Sequence, residues 1–443
     1  MPGHKENKKF LDLFGAEKID ITEIDGFDDL HNATEILKEL EDDFARLYNT
    51  KKAYILVNGS TVGILSSVSA VCNEYDDILI ARNCHKSVYN AVYLNRLNAE
   101  YIEPHWDGKA QIFTYIEPQE VEKKLKANKN TKAVVITSPT YEGVLSNTKE
   151  IYHICQKYNA VLIVDCAHGA HLKFCEKDFE YFGDIVVTSL HKTLPSPTQT
   201  ALLLCNNENF KNEVKKYLDI FQTSSPSYIL MYGVSQCCDF LKNAKSEFEK
   251  SDKHISEFYD IKTKKIEINN FENGTHIDKY KINIDLSNTN RSAFELHKFF
   301  LSDKIYDEMY LKSSLLLIAT VCDESDSLNE LKKSILEFDK KCLSANKGKE
   351  NIVKPVLPQK VKNSYEIDLK NAEKENLKNC INKISASYVF AYPPGIPLIV
   401  PGEKIDEKTI ETVFDLKSKN VNLLTDSGTF NDDIFIDKSN KLE

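Results

Sequence analysis

Lys192 stands between two apolar runs, Ile185, Val186 and Val187 before it and Ala201 to Leu204 after it, with Ser189 and His191 at its side in "SLHKTL". A lysine at the end of a buried strand loses part of its hydration, and neighbouring positive groups push further toward the neutral amine, the nucleophile of Schiff-base chemistry. Other apolar runs also end in reactive groups. "AYILVNGST" ends in Asn58, Gly59, Ser60 and Thr61, which leaves two hydroxyls and free backbone N–H groups at a helix start, an arrangement suited to an anion. "ILIARNCHKSVY" delivers Asn83, His85, Lys86 and Ser87, and "AVLIVDCAHGAHL" delivers Asp165, then His168 and His171.

Each end taken alone has a plainer explanation. A Gly-Ser-Thr run caps a helix, a single histidine is more often structural than catalytic, and a strand-end aspartate can be a cap. The Asp–His cluster also invites a metal, but neither it nor the cysteines have zinc-site spacing, so no metal ligand is assigned. Together the ends describe one ligand. A phosphate for the helix N-terminus, an aromatic ring beneath an imidazole, a pyridine nitrogen for a carboxylate and an aldehyde for a lysine make up pyridoxal 5′-phosphate (PLP).

These groups need a scaffold that brings strand ends together. Apolar runs at 53–57, 77–81, 132–137, 160–165, 184–189 and 200–205 alternate with helical stretches at 61–71, 86–96, 118–126 and 148–157. The alternation predicts an α/β fold with a parallel-rich sheet covered on both faces, which binds ligands where its strands end. The runs at 184–189 and 200–205 are too close for a helical crossover and are expected to pair antiparallel. After residue 208 long charged helices follow, then a second, smaller mixed α/β region from Lys265. The expected division is an N-terminal segment 1–30, a large cofactor-binding domain with connecting helices 31–264, and a C-terminal small domain 265–443. The polar, aperiodic stretch 344–364 reads as a linker or excursion.

Composition narrows the class. The chain has 443 residues, 42% hydrophobic and 28% charged, and no apolar run near the roughly 18–20 residues that cross a bilayer. A net charge of −10 argues against nucleic acid as a partner. The 11 cysteines are scattered singly apart from Cys237 and Cys238, which fits buried thiols in a reducing compartment. "MPGHKENKKFLDLF" has charges but no apolar core of a secretory signal, so the cytoplasm is expected.

The chain resembles the Orn/Lys/Arg decarboxylases of PLP fold type I, in their short bacterial form without an N-terminal wing domain. The resemblance is carried by "PGHK" (2–5), "TEIDGFDDLH" (22–31), "VNGST" (57–61), "RNCHKSVY" (82–89), "TSPTYEG" (137–143), "VDCAHGAHL" (164–172), "SLHKTL" (189–194), "TSSPSYILM" (223–231) and "YPPGIPLIVPGE" (392–403). It implies that Lys192 forms the Schiff base, Asp165 meets the pyridine nitrogen and His85 stacks on the ring. Ser60, Thr61, Ser189 and His191 would hold the phosphate, and His168 falls among the cofactor-binding positions. It further implies a homodimer with shared active sites, in which Thr223, Ser224 and Ser225 reach the partner's phosphate. Cys166 stands where the family commonly has an acidic residue, and the chain begins close to "PGHK" where relatives carry a short helix.

The activity so implied is loss of CO2 from lysine, arginine or ornithine to give cadaverine, agmatine or putrescine. Lys192, His191 or His85 would return a proton to the substrate carbon. Another fold-type-I reaction, transamination or elimination, and a non-catalytic relative are the alternatives; retention of Lys192 speaks against the latter. Asp25, Asp28, Asp29, Glu142 and Glu403 are the carboxylates in blocks that could meet a substrate's distal cation.

Overall fold

Short runs of Val, Ile and Leu, bounded by Gly, Asn and Asp, form the strands of the central sheet. The computed structural model describes residues 5, 14–311, 313–344, 354, 357–392 and 395–438. Most of "PGHK", Pro393 and Pro394, and much of the 344–364 stretch lie outside the described residues.

The first half runs α1 (Ile36–Tyr48), β1 (Lys52–Leu56), α2 (Gly59–Val71), β2 (Asp77–Ala81), α3 (Lys86–Leu94) and β3 (Asn98–Ile102). A small β4–β5 hairpin (Trp106–Asp107, Ile112–Phe113) precedes α4 (Pro118–Ala127), β6 (Ala133–Thr137), α5 (Thr148–Lys157) and β7 (Val161–Asp165). Then come the short α6 (Leu172–Cys175), β8 (Ile185–Ser189), the single turn α7 (Leu190–Thr193) and β9 (Ala201–Cys205). The sheet has 7 strands in the order β1-β9-β8-β7-β6-β2-β3.

Within it β2, β3, β6, β7 and β8 run parallel, and β9 runs against both β8 and β1. The expected antiparallel pair is therefore present, and β1 points the same way as β8. All four reactive strand ends, after β1, β2, β7 and β8, consequently meet at one edge of the sheet. The edge strand β3 was not among the apolar runs, because in "NAEYI" only Ala99 and Ile102 are buried and Asn98, Glu100 and Tyr101 break the apolar run. Helix α2 lies close on the sheet through Gly63, where a Cβ would come within 2.8 Å of both Leu56 and Val187.

The charged stretch after residue 208 divides into α8 (Lys211–Phe221), α9 (Tyr228–Lys242) and α10 (Lys245–Tyr259). A second sheet, in the order β10-β11-β13-β12, follows with β10 (Glu267–Ile268), β11 (Lys281–Asp285), β12 (Met309–Tyr310) and β13 (Ser314–Ile318). Helices α11 (Ala293–Ser302) and α12 (Ser325–Lys341) cover it, around a core that includes Ile282, Ile284, Leu296, Phe300 and Ile335.

Short paired strands continue the chain: β14 (Gln359–Lys360), β15 (Glu373–Asn376), β16 (Val389–Ala391), β17 (Ile396–Ile399) and β18 (Glu403–Lys404). Helix α13 (Glu407–Ser418) and β19 (Leu423–Thr425), β20 (Gly428–Thr429) and β21 (Asp433–Ile436) complete it. Here β16 and β17 join β19 and β20 in a four-stranded sheet with its own core of Leu377, Val389, Ile399 and Val413. The fold is thus mixed α/β, a mostly parallel central sheet followed by smaller antiparallel ones.

Candidate active site

Neighbouring parallel strands place Asp165 and Lys192 beside each other. Asp165 ends β7, and Lys192 lies in the turn α7 directly after β8. Asp165 is buried and accepts from the backbone N–H of Ala167 at 3.2 Å. Burial raises its pKa, and the positive charge of Lys192 works in the opposite direction. Burial likewise lowers the pKa of Lys192, against the pull of Asp165 and Glu308. Such an amine gives up its proton more readily than a surface lysine does.

His168, buried two residues beyond Cys166, bridges two lysines. Its Nε2 lies 3.0 Å from Lys192 Nζ and its Nδ1 2.9 Å from Lys281 Nζ. Burial holds His168 well below the usual histidine range, and the two lysines push it further down. Tyr141 covers this chain of nitrogens. Its ring lies 4.5 Å from that of His168, both lysine nitrogens sit 6.0 Å from its centroid, and its hydroxyl donates to the exposed Glu308.

His85 caps α3, and its tautomer follows from its partners. The backbone N–H of Ser87 can only donate, so Nδ1, 3.2 Å away, carries the lone pair and Nε2 the proton. Burial, with smaller contributions from Lys192 and Lys86, brings its pKa down to about 4 and leaves the ring neutral. Gly395, at φ +88, presses against it: a Cβ there would lie 3.5 Å from Cδ2 and Nε2 of His85.

The helix start at Gly59 and the turn around His191 are joined through one loop. The Gly59 N–H donates to Gln199 O at 2.8 Å, and His191 donates from Nδ1 to Thr200 O at 2.9 Å, leaving its Nε2 for another group. Burial lowers the pKa of His191. Ser60 and Thr61 open α2 with accessible hydroxyls. Ser189 Oγ, by contrast, is buried without a hydrogen-bond partner, as a hydroxyl facing an absent acceptor would be.

Thr223 lies, within this chain, beside the residue that precedes α2. Its N–H donates to Asn58 Oδ1 of the same chain at 3.0 Å, its hydroxyl accepts from Ser225 N, and Ser224 and Ser225 are exposed. Two of the carboxylates considered for a substrate's distal cation are committed elsewhere. Asp28 accepts the backbone N–H groups of Asp29, Thr34, Glu35 and Leu37, and Glu403 is buried against Arg82. Glu142 is buried, and its pKa is raised by that burial. No group of three or more potential ligands for a metal ion occurs among the described residues.

Sequence reasoning gave no role to Tyr141, Lys281 or Glu308. Lys281 begins the alternating strand "KINID", which reads as an ordinary sheet face, and it reaches the site from a different sheet. No sequence signal marked it; in the structure Gly143, at φ +96, makes room for it, since a Cβ there would fall 2.4 Å from Lys281 Cγ.

Residues 1–322 match the model of the Orn/Lys/Arg decarboxylase major domain, and residues 350–420 match that of the C-terminal domain. The uncharacterized protein YaaO of Bacillus subtilis is 30% identical over 433 residues, 93% of this chain and 89% of that protein. Arginine decarboxylase of the same organism is 26% identical over 437 residues, 94% of this chain and 89% of its own length. Among solved structures, the lysine decarboxylase of Francisella novicida superposes with a TM-score of 0.82 at 19% identity, covering 99% of this chain and 78% of that one. The constitutive lysine decarboxylase of E. coli gives 0.82 at 18% identity, covering 99% and 79%.

Proposed function

Because the chain belongs to the Orn/Lys/Arg decarboxylase family, we propose that it removes the α-carboxyl group of lysine, arginine or ornithine as CO2 and releases the corresponding amine in polyamine metabolism. The cofactor is PLP, and the residues at the strand ends fit it: a buried carboxylate, a desolvated lysine, a neutral imidazole, a helix N-terminus and the unpartnered hydroxyl of Ser189. The observation that carries the reading is the meeting of Lys192 with buried Asp165 and His168 at the ends of adjacent parallel strands.

When bound, PLP supplies the electron sink for the pair left behind by the departing carboxyl group. Lys192 is the amine that holds the cofactor's aldehyde carbon. Asp165, buried with one backbone hydrogen bond, would hold a proton on the pyridine nitrogen, since a cationic N–H beside it offsets the cost of burying its charge. His85 offers a neutral ring face, fixed by Ser87 on one side and Gly395 on the other. Ser60, Thr61, Ser189 and His191 bind the phosphate, the last through Nε2. Lys192, adjacent to His168, carries the proton returned to the substrate carbon.

Glu308 is the carboxylate proposed to meet the substrate's distal cation. It is exposed, receives the Tyr141 hydroxyl and acts electrostatically on both Lys192 and Lys281. The reading includes a homodimer in which Thr223 and Ser224 serve the partner's phosphate, and a cytoplasmic enzyme, supported by 11 free cysteines. The deciding assay is CO2 release from lysine, arginine and ornithine by PLP-loaded protein. Release from one of them is expected, and release from none, with PLP bound to folded protein, would refute the activity.

A further inference from the structure

Lys281 is fully buried at the start of β11, in a sheet separate from the one that carries Lys192. A buried lysine that only filled space would be costly, since its charge is disfavoured away from water unless something uses or compensates it. Its stem passes directly over Gly143, with no room for a Cβ between them, and its nitrogen ends 2.9 Å from Nδ1 of His168. The other nitrogen of that ring is 3.0 Å from Lys192. The groups facing Lys281 are Asp278, Glu142 and Glu308, with Lys192 opposing; those facing Lys192 are Asp165 and Glu308; His85 and His171 border His168.

Counting protons constrains this chain of nitrogens. A neutral imidazole has one N–H and one lone pair, so it accepts from only one ammonium. If both pairs are hydrogen-bonded, one lysine is an ammonium donating to the ring and the other is a neutral amine accepting from it. We propose that Lys281 is a positioning residue that acts through His168 as the proton store of Lys192, an inference that rests on the reading of Lys192 as the PLP-binding lysine.

The transfer balances. The Lys192 ammonium gives a proton to Nε2 while Nδ1–H passes its proton to the Lys281 amine; two N–H bonds break, two form, and the positive charge moves to Lys281 without any electron transfer. Asp278, Glu142 and Glu308 then face that charge. Lys192 is left as the free amine that captures an aldehyde, and reversal of the relay gives it back a proton. Burial brings the Lys281 pKa down to about 8, close enough to neutrality for either end to hold the proton.

The test follows PLP capture by the apoprotein rather than turnover. Absorbance gives the capture rate across pH, borohydride trapping with peptide mass spectrometry confirms Lys192 as the site, and circular dichroism confirms folding. Lys281→Met removes the store, so the midpoint of the capture profile should rise by about 1 pH unit or more. Lys281→Gln, which still offers His168 a hydrogen-bonding partner, should show the same rise. Lys281→Arg keeps a fixed charge donating to Nδ1, so its midpoint should stay at or below that of the wild type.

Coincident midpoints for wild type and a folded Met or Gln variant would overturn the proposal. So would a rise in the Arg variant equal to theirs, because that would trace the effect to packing. Failure of the wild type to capture PLP at Lys192 would instead remove the cofactor reading on which the proposal stands.

Discussion

Arg82 and Glu403, 321 positions apart, form a buried two-point ion pair, with Nε to Oε1 at 3.1 Å and Nη2 to Oε2 at 3.0 Å. Arg82 also donates from Nη1 to Pro397 O at 2.6 Å. Arg82, just after β2 and three residues before His85, is thereby held both by Glu403 in β18 and by Pro397 in β17, the strand that begins directly after Gly395. Burial works against the charge of Arg82, and Glu403 more than offsets it.

Removing one partner leaves the other charged, buried and alone, which typically costs about 3–5 kcal/mol. Glu403→Ala is therefore expected to lower the unfolding free energy by that order, read as a fall in the urea midpoint at unchanged m, and to weaken PLP retention through His85. A variant as stable as the wild type would show that the guanidinium finds other acceptors among the carbonyls of Pro397 and Leu398.

Asp165→Asn keeps the size of the side chain and removes its charge. Lys192 and the groups proposed to hold the phosphate remain, so PLP should still bind and give its absorption band. Without a carboxylate to keep the pyridine nitrogen protonated, turnover should fall by about 100-fold or more. Near-normal rates would mean that a different carboxylate serves that nitrogen.

Much of the large sheet was legible because its strands are short, apolar and bounded by turn residues, and their order along the chain already implied a common edge for Ser60, His85, Asp165 and Lys192. The same strand ends led to PLP, the cofactor of the family to which the chain belongs. Lys281 was not legible, because its approach to His168 spans 113 positions and is set by how the second sheet packs, which no local period encodes. The partnership of Arg82 with Glu403 was hidden in the same way. Both lie in blocks that sequence reasoning singled out, yet Glu403 was considered there for a substrate cation, not as the counterion of an arginine.

Glu308→Gln tests the carboxylate now assigned to the distal cation. The amide can still accept a hydrogen bond from the substrate's cationic end but no longer brings a negative charge to it. KM for the preferred basic amino acid should therefore rise by about 10-fold, with a smaller change in kcat, if the carboxylate holds that end equally in ground and transition states. An unchanged KM would take Glu308 out of substrate binding and leave it as the acceptor for Tyr141 and a charge facing Lys192 and Lys281.

Assembly is tested by complementation. In a single chain the Thr223 backbone is fixed to Asn58, next to the helix start proposed to bind the phosphate, while Ser224 and Ser225 are exposed. If Thr223 and Ser224 serve the partner's site, Lys192→Ala and a Thr223→Ala, Ser224→Ala double variant should rescue each other on subunit exchange. In a mixed dimer the site that keeps Lys192 receives wild-type hydroxyls from the other subunit, and the second site carries both defects. Random exchange makes about half the dimers mixed, each with one intact site, so activity should recover toward about a quarter of the wild-type value. Should mass spectrometry prove that mixed dimers formed, with each variant impaired alone, and no activity return, the hydroxyls of Thr223 and Ser224 act within their own chain, on the side where the Thr223 backbone already meets Asn58.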